Sequence, residues 1–413
     1  MKTETRNEIK NLKFKVAPQG NGQSTRSVHA GVSRQKPKHA LIDPIFHTST
    51  YTFDNLDDIR EFIESKESGK KSQRIDYGRY GNPTVRAVEV RLAELENSQD
   101  ALLFASGMAA VTTTLLTFLS AGDHLVITDD CYRQTRNFVL TLLKRFGIEC
   151  TVVSMDDFEA IENAVQSNTK LIVSETPTNP YLRVLDIEKL VEIAKRNNVM
   201  TMLDTTFASP INMRALDFGV DLVVHSATKY LGGHNDLLSG VLVGNEDLLA
   251  QVRENNGILG GITDPNTAYL LGRGLKTLSV RVKHQNQSGQ SVAEFLDRHP
   301  AIEQVWYPGL PSHKDHEIAK RHMSGFGGVI SFTVKGDLDK TAEFIDRLTI
   351  PYITPSLGGT ESLVNQPALL SYYSLTREER EAIGIKDNLV RYALGIEDVE
   401  DIIADLSQAL AYV

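Results

Sequence analysis

Cysteine is almost absent: Cys131 and Cys150 are the only two in 413 residues. Two thiols cannot staple a chain this long, and their spacing fits no zinc signature, so neither a disulfide framework nor a metal site is expected. Long apolar runs are missing too. No stretch reaches the roughly 18 residues needed to cross a bilayer. The first residues, MKTETRNEIKNLKFKV, lack the apolar core of a secretory signal, so the cytoplasm is the expected compartment. Basic excess is also lacking, with 44 Lys and Arg against 53 Asp and Glu and a formal charge of −9. A surface that tracks phosphodiesters needs a net basic face, so neither nucleic acid nor an acidic membrane is an expected partner. A local basic pocket for a small anion stays open.

What the chain does have is rhythm. From about residue 100, short apolar runs alternate with amphipathic segments: ALLFA (101–105), HLVIT (124–128), CTVV (150–153), KLIVSE (170–175), VMTMLD (199–204), DLVVHS (221–226) and GVLVG (240–244). Strands apolar on both faces, separated by helices, describe an α/β domain with a mainly parallel central sheet. After about residue 285 the rhythm loosens. GGVISFTV (327–334) reads as a strand, 338–348 as a helix, and Val399, Ile402, Ile403, Leu406 and Leu410 form one face of a terminal helix. The expected layout is an N-terminal arm over 1–75 with a mobile first part, a large α/β domain over 76–285, and a smaller C-terminal α+β domain over 286–413.

Ligands of such sheets bind at the C-terminal strand ends. One run ends in HSATKYLGG, placing Lys229 in a turn with the hydroxyls of Ser226 and Thr228. A lysine drawn out of solvent there loses pKa and gains nucleophilicity toward an aldehyde. Alone, a lysine after a strand is usually a surface lysine. A second run ends at Asp204, which would pair with a protonated ring nitrogen or simply form a turn. A third passes through Ser106 into a helix whose first N–H groups, of Gly107 and Met108, offer an anion site. Tyr132 follows a fourth run, either stacking on a ring or packing locally. Together, these strand ends describe a phosphate-bearing aldehyde cofactor.

The chain resembles the Cys/Met-metabolism family of pyridoxal 5′-phosphate (PLP) enzymes through YGRYGNPT (77–84), SGMAA (106–110), ETPTNP (175–180), SATKYLGGHND (226–236) and GGTES (358–362). DCYRQTRNF (130–138), GITDPNTAYLLGRGLKTLSVRV (261–282) and IKDNLVRYALGIED (385–398) point, within the family, to its plant-type γ-synthases. The resemblance implies a fold-type I PLP-dependent transferase, with Lys229 carrying the cofactor as a Schiff base and shuttling protons, and Tyr132 stacked on the ring and aiding it. It implies Asp204 on the ring nitrogen, Thr206 as a further cofactor contact, and Gly107, Met108, Ser226 and Thr228 on the phosphate. Tyr77 and Arg79 would reach the phosphate of a neighbouring subunit in a tetramer built as a dimer of dimers. Asn179, Ser362 and Arg391 would hold a substrate α-carboxylate, and Glu361 the distal amine of a cysteine-like partner. Arg133 or Arg136 would bind a leaving-group anion or remain surface arginines.

Ala393, Asn137 and Asn365-Gln366 depart from the family pattern. The expected reaction is γ-replacement on an O-phospho-, O-succinyl- or O-acetylhomoserine with cysteine, giving cystathionine. The alternatives are a lyase releasing ammonia and a 2-oxo acid, or a specialised enzyme using another nucleophile.

Overall fold

The computed structural model describes residues 22–31, 35–68 and 74–413. The seven apolar runs form the strands β1 (Asp100–Phe104), β2 (His124–Thr128), β3 (Glu149–Val153), β4 (Thr169–Glu175), β5 (Met200–Asp204), β6 (Leu222–Ser226) and β7 (Gly240–Gly244). They build one sheet in the order β1-β7-β6-β5-β4-β2-β3, in which only β7 runs antiparallel to its neighbours. Side chains alternate across the sheet, and both sides are apolar. Leu103, Val126, Ile172 and Leu203 pack into one core, while Leu102, Leu125, Leu171 and Met202 pack into another. Helices cover both faces, as the continuous hydrophobicity of the strands requires.

A second sheet of five strands, in the order β10-β11-β12-β9-β8, forms the C-terminal unit: β8 (Ile302–Trp306), β9 (Val329–Val334), β10 (Tyr352–Ile353), β11 (Leu363–Asn365) and β12 (Leu389–Ala393). Its pairs are antiparallel except β10 with β11. The terminal helix Val399–Leu410 buries Ile402, Leu406 and Leu410 in the core of this unit. The 20-residue helix Leu278–Asp297 serves both units, giving Leu278 and Val282 to the first core and Val292, Ala293 and Leu296 to the C-terminal one. It runs straight through residue 285, where the sequence suggests a boundary.

The expected mobile arm needs correction over part of its length. Gln23–His29 is a helix with Ser27 fully buried. Gln23 donates to the Ile211 carbonyl at 2.5 Å, and the Ser24 and Ser279 hydroxyls meet at 3.0 Å. Hydrogen bonds rather than apolar area hold it down, so hydropathy carried no signal. Residues 1–21 and 32–34 of that reading lie outside the described residues. No helix among the described residues is long and apolar enough to cross a membrane.

Candidate active site

The C-terminal ends of adjacent strands converge at the site. Register places Glu175 beside Asp204 and Ser226 beside Gly240, while Phe104 pairs with Gly240 from the other side. Beyond Phe104 the chain turns at Ser106 into the helix Gly107–Phe118. The Ser106 hydroxyl caps Ala109 N–H, leaving the N–H groups of Gly107 and Met108 without a partner inside the helix. A Cβ on Gly107 would sit 3.1 Å from Cα and Cβ of Ser226 and 3.3 Å from its hydroxyl. Glycine thus keeps open a cradle shared by a helix N-terminus and a serine hydroxyl. Thr228 borders it, its hydroxyl exchanging hydrogen bonds with the Ser239 backbone at 3.2 and 3.1 Å.

Asp204 is held by Thr206, whose N–H and hydroxyl donate to one carboxylate oxygen at 2.9 and 2.6 Å. The Thr206 hydroxyl in turn accepts from Ser226 N–H at 2.8 Å, locking β5 to β6 at the site. Burial raises the Asp204 pKa, partly offset by these donors and by His225. A protonated ring nitrogen would relieve that desolvated carboxylate. Tyr132 opens the helix Arg133–Asn137 as a residue 46% exposed, and its N–H donates to Glu175 at 2.6 Å. Glu175, buried and pushed well up in pKa chiefly by desolvation, thus anchors the tyrosine through its backbone. It stands in the ETPTNP motif, though sequence reasoning gave it no role.

Lys229 points at Ser356, donating to its hydroxyl at 2.6 Å. Burial, with the Arg391 charge adding to it, pulls the amine's pKa down to about 8. Arg391 sits in β12, 8% exposed, donating to Asn179 Oδ1 at 3.0 Å and to the Ser356 carbonyl at 2.8 Å. Its Nε is buried without a partner, and among the described residues no carboxylate pairs with the guanidinium. Burial draws its pKa down to about 10, so it remains charged at neutral pH. A buried cation lacking a counterion, with a donor left over, suits an incoming carboxylate.

One serine departs from its expected place and another stands there instead. Ser362 is fully buried, its hydroxyl engaged by Glu397 at 2.9 Å and by Gly395 N–H at 3.0 Å, so it faces away from Arg391. The strand beginning at Leu363 alternates its faces, and this register turns Ser362 inward. Ser356, which sequence reasoning missed, stands between Lys229 and Arg391 instead. Its φ of 98° is a left-handed conformation rare for serine, in a loop where a Cβ added to Gly358 would meet Tyr230 N at 2.7 Å. Proximity across more than a hundred residues leaves no local signal.

The remaining predicted positions spread outward. Glu361 is exposed and held by Asn235 at 2.7 Å. It lines a cavity of about 680 Å³ together with Thr228, Asp236, Tyr352 and Ser356. Tyr77 is 41% exposed, and Arg79 donates to the Gly257 carbonyl at 2.6 Å with its guanidinium over the Tyr77 and Tyr80 rings. Among the described residues, no hydrogen bond or ion pair joins either to Lys229, Ser226 or Gly107. Arg133 and Arg136 donate to the carbonyls of Ser371 and Asp129. Gln366 ties the carbonyls of Leu338 and Asp387 together, and Ala393 is buried in β12 opposite Val329, so both departures are structural here.

The donor set at these strand ends fits PLP: a nucleophilic amine, an anion cradle and a carboxylate needing a cation. Comparisons with known proteins agree. The family model for Cys/Met metabolism PLP-dependent enzymes matches residues 24–411. "Cystathionine gamma-synthase 1, chloroplastic" of Arabidopsis thaliana is 48% identical over 93% of this chain and 68% of its own. The "L-methionine gamma-lyase" of Fusobacterium nucleatum subsp. polymorphum is 40% identical over 94% of this chain and 98% of its own. The crystal structure of metB from Corynebacterium glutamicum superposes with a TM-score of 0.87 at 36% identity, covering 95% of this chain and 99% of that one. A match across nearly the whole chain and a cofactor-ready set of strand ends lead to one conclusion: this chain belongs to the Cys/Met metabolism family of PLP-dependent enzymes.

Proposed function

We propose that the enzyme performs γ-replacement, exchanging the γ-substituent of an activated homoserine ester for the sulfur of cysteine to give cystathionine. The observation that carries the reading is Arg391: a buried cation with a spare donor, close to a lysine of depressed pKa, calls for an α-amino acid. The kinship with a cystathionine gamma-synthase supports the choice of acceptor and donor.

Lys229, Tyr132, Asp204, Thr206, Ser226, Thr228, Gly107 and Met108 would hold the cofactor. When bound, PLP supplies an electron sink for negative charge developing on the substrate carbons. Asp204 keeps a proton on the ring nitrogen. Arg391 and Asn179 clamp the α-carboxylate, and the Ser356 hydroxyl steers Lys229 Nζ toward Cα. Lys229, as a neutral amine, takes the Cα proton and delivers it onward, and the γ-substituent leaves before sulfur adds at Cγ. Glu361, across the cavity, receives the ammonium group of the incoming cysteine and raises its effective concentration.

Glu361→Ala should therefore weaken use of cysteine about tenfold while sparing elimination from the ester alone. A charge-assisted contact is worth more in a dry site, but this carboxylate is exposed. The measurement follows cystathionine and 2-oxobutyrate together as cysteine is titrated. Dominant 2-oxo acid at saturating cysteine establishes the lyase reading, which the methionine gamma-lyase kinship supports.

Tyr77 and Arg79 serve a neighbouring subunit's phosphate in this reading, within a dimer that pairs into a tetramer. Exposed Leu41, Ile42, Ile45 and Phe46, shortly before Thr50, which bridges to Tyr77, support a covered face. Mixing Lys229→Ala chains with Arg79→Ala chains should restore part of the activity, because one hybrid site is intact. No rescue after verified subunit exchange would assign both residues to their own chain.

A further inference from the structure

Away from the cofactor site, Asp186, Glu188 and His322 bring three potential ligand atoms within 4.8 Å of one another. Asp186 stands at the N-cap of helix Ile187–Asn197, yet its carboxylate caps no backbone N–H, and Glu188 lies in the first turn. His322 closes the helix His316–His322, between β8 and β9. The cluster therefore spans the seam between the two sheet units. The Arg183–Asp315 pair crosses the same seam at 2.7 Å.

His322 is the member that points to a ligand. It is 5% exposed, and among the described residues neither ring nitrogen has a hydrogen-bond partner. A buried neutral imidazole ordinarily donates through one nitrogen and accepts through the other. Phe218 packs at 4.8 Å from the ring, and Nε2 faces Glu188 Oε2 at 3.6 Å. That gap is too long for a hydrogen bond. Two atoms each about 2.0–2.1 Å from one ion at a tetrahedral angle lie about 3.3–3.4 Å apart, so an ion would draw the pair together by a few tenths of an ångström. Lys189 and Arg321 approach Asp186 at 3.6 and 3.3 Å, but both side chains are more than half exposed and can swing into solvent when a dication arrives.

We propose that Asp186, Glu188 and His322 bind one divalent transition-metal ion of the zinc class, with water completing its shell, as a clamp between the two units. An imidazole beside two carboxylates selects such an ion over magnesium or calcium, which prefer all-oxygen sites. The clamp fixes the start of the helix that follows the segment carrying Asn179. Sequence spacing offered no hint, since the ligands come from two distant helices.

Holoenzyme stripped with a chelator and gel-filtered is titrated with zinc chloride by calorimetry, and its melting is followed with and without zinc. One equivalent should bind. Zinc at a hundred times its Kd should lower the unfolding equilibrium constant about 100-fold, raising Tm. Glu188→Gln, at an exposed position, should melt as wild type without zinc yet bind zinc at least about tenfold more weakly, since even outer-shell losses cost this much. His322→Gln should lose the zinc-dependent rise in Tm. Absence of saturable binding, or wild-type zinc affinity in Glu188→Gln, overturns the site. Magnesium binding as tight as zinc overturns the metal class.

Discussion

Lys229→Ala is expected to lower turnover by about 10⁴-fold or more, because one substitution removes both the covalent attachment and the proton carrier. The fold should survive, since the amine's one hydrogen bond among the described residues goes to Ser356. Borohydride reduction of the wild-type holoenzyme should place the pyridoxyl label on Lys229. A label elsewhere, or turnover within tenfold of wild type, would sink the assignment. The depressed pKa gives a second readout. Lowering the pKa favours the neutral amine, which is the nucleophile. Cofactor capture by the cofactor-free protein should therefore accelerate as pH rises and level off above about 8. A solvated lysine would keep accelerating to about pH 10 and beyond.

Arg391→Ala should lower kcat/KM by about 10²–10³, the usual consequence of truncating one partner of a buried, hydrogen-bonded charge pair. Cofactor absorbance should persist, because no predicted cofactor contact is touched. Stability should hold or even rise. Without substrate the guanidinium is a desolvated charge with no carboxylate beside it, and removing it relieves that cost. Arg391→Lys keeps the charge but loses the planar fork, so it should recover only part of the activity. A variant with normal kcat/KM would place the α-carboxylate elsewhere. A falling Tm would mark Arg391 as structural instead.

The residues expected to hold the cofactor are named by local signals. Lys229, Ser226 and Thr228 share one turn, Asp204 and Thr206 another, and Gly107 and Met108 a third. In each case an apolar run ends and a polar group begins. Substrate-side residues were less legible. Ser362 was placed at the clamp on a motif match, but the β11 register buries its hydroxyl against Glu397. Ser356 was passed over because its role depends on a positive φ and on contacts with Lys229 and Arg391 from distant segments. The Gln23–His29 helix escaped notice because polar contacts, not a hydrophobic face, dock it.

By itself, the sequence determined the mainly parallel sheet, the smaller C-terminal unit, the cofactor and the family. Each depends on runs and turns a few residues long, where backbone preference and burial act over short range. Only the tertiary structure decided which serine meets Lys229 and that Arg391 is buried with a donor to spare. It alone revealed that His322 faces Asp186 and Glu188 across the seam. Those outcomes depend on the packing of distant elements, and the register and helix placement that govern them leave no periodic trace along the chain.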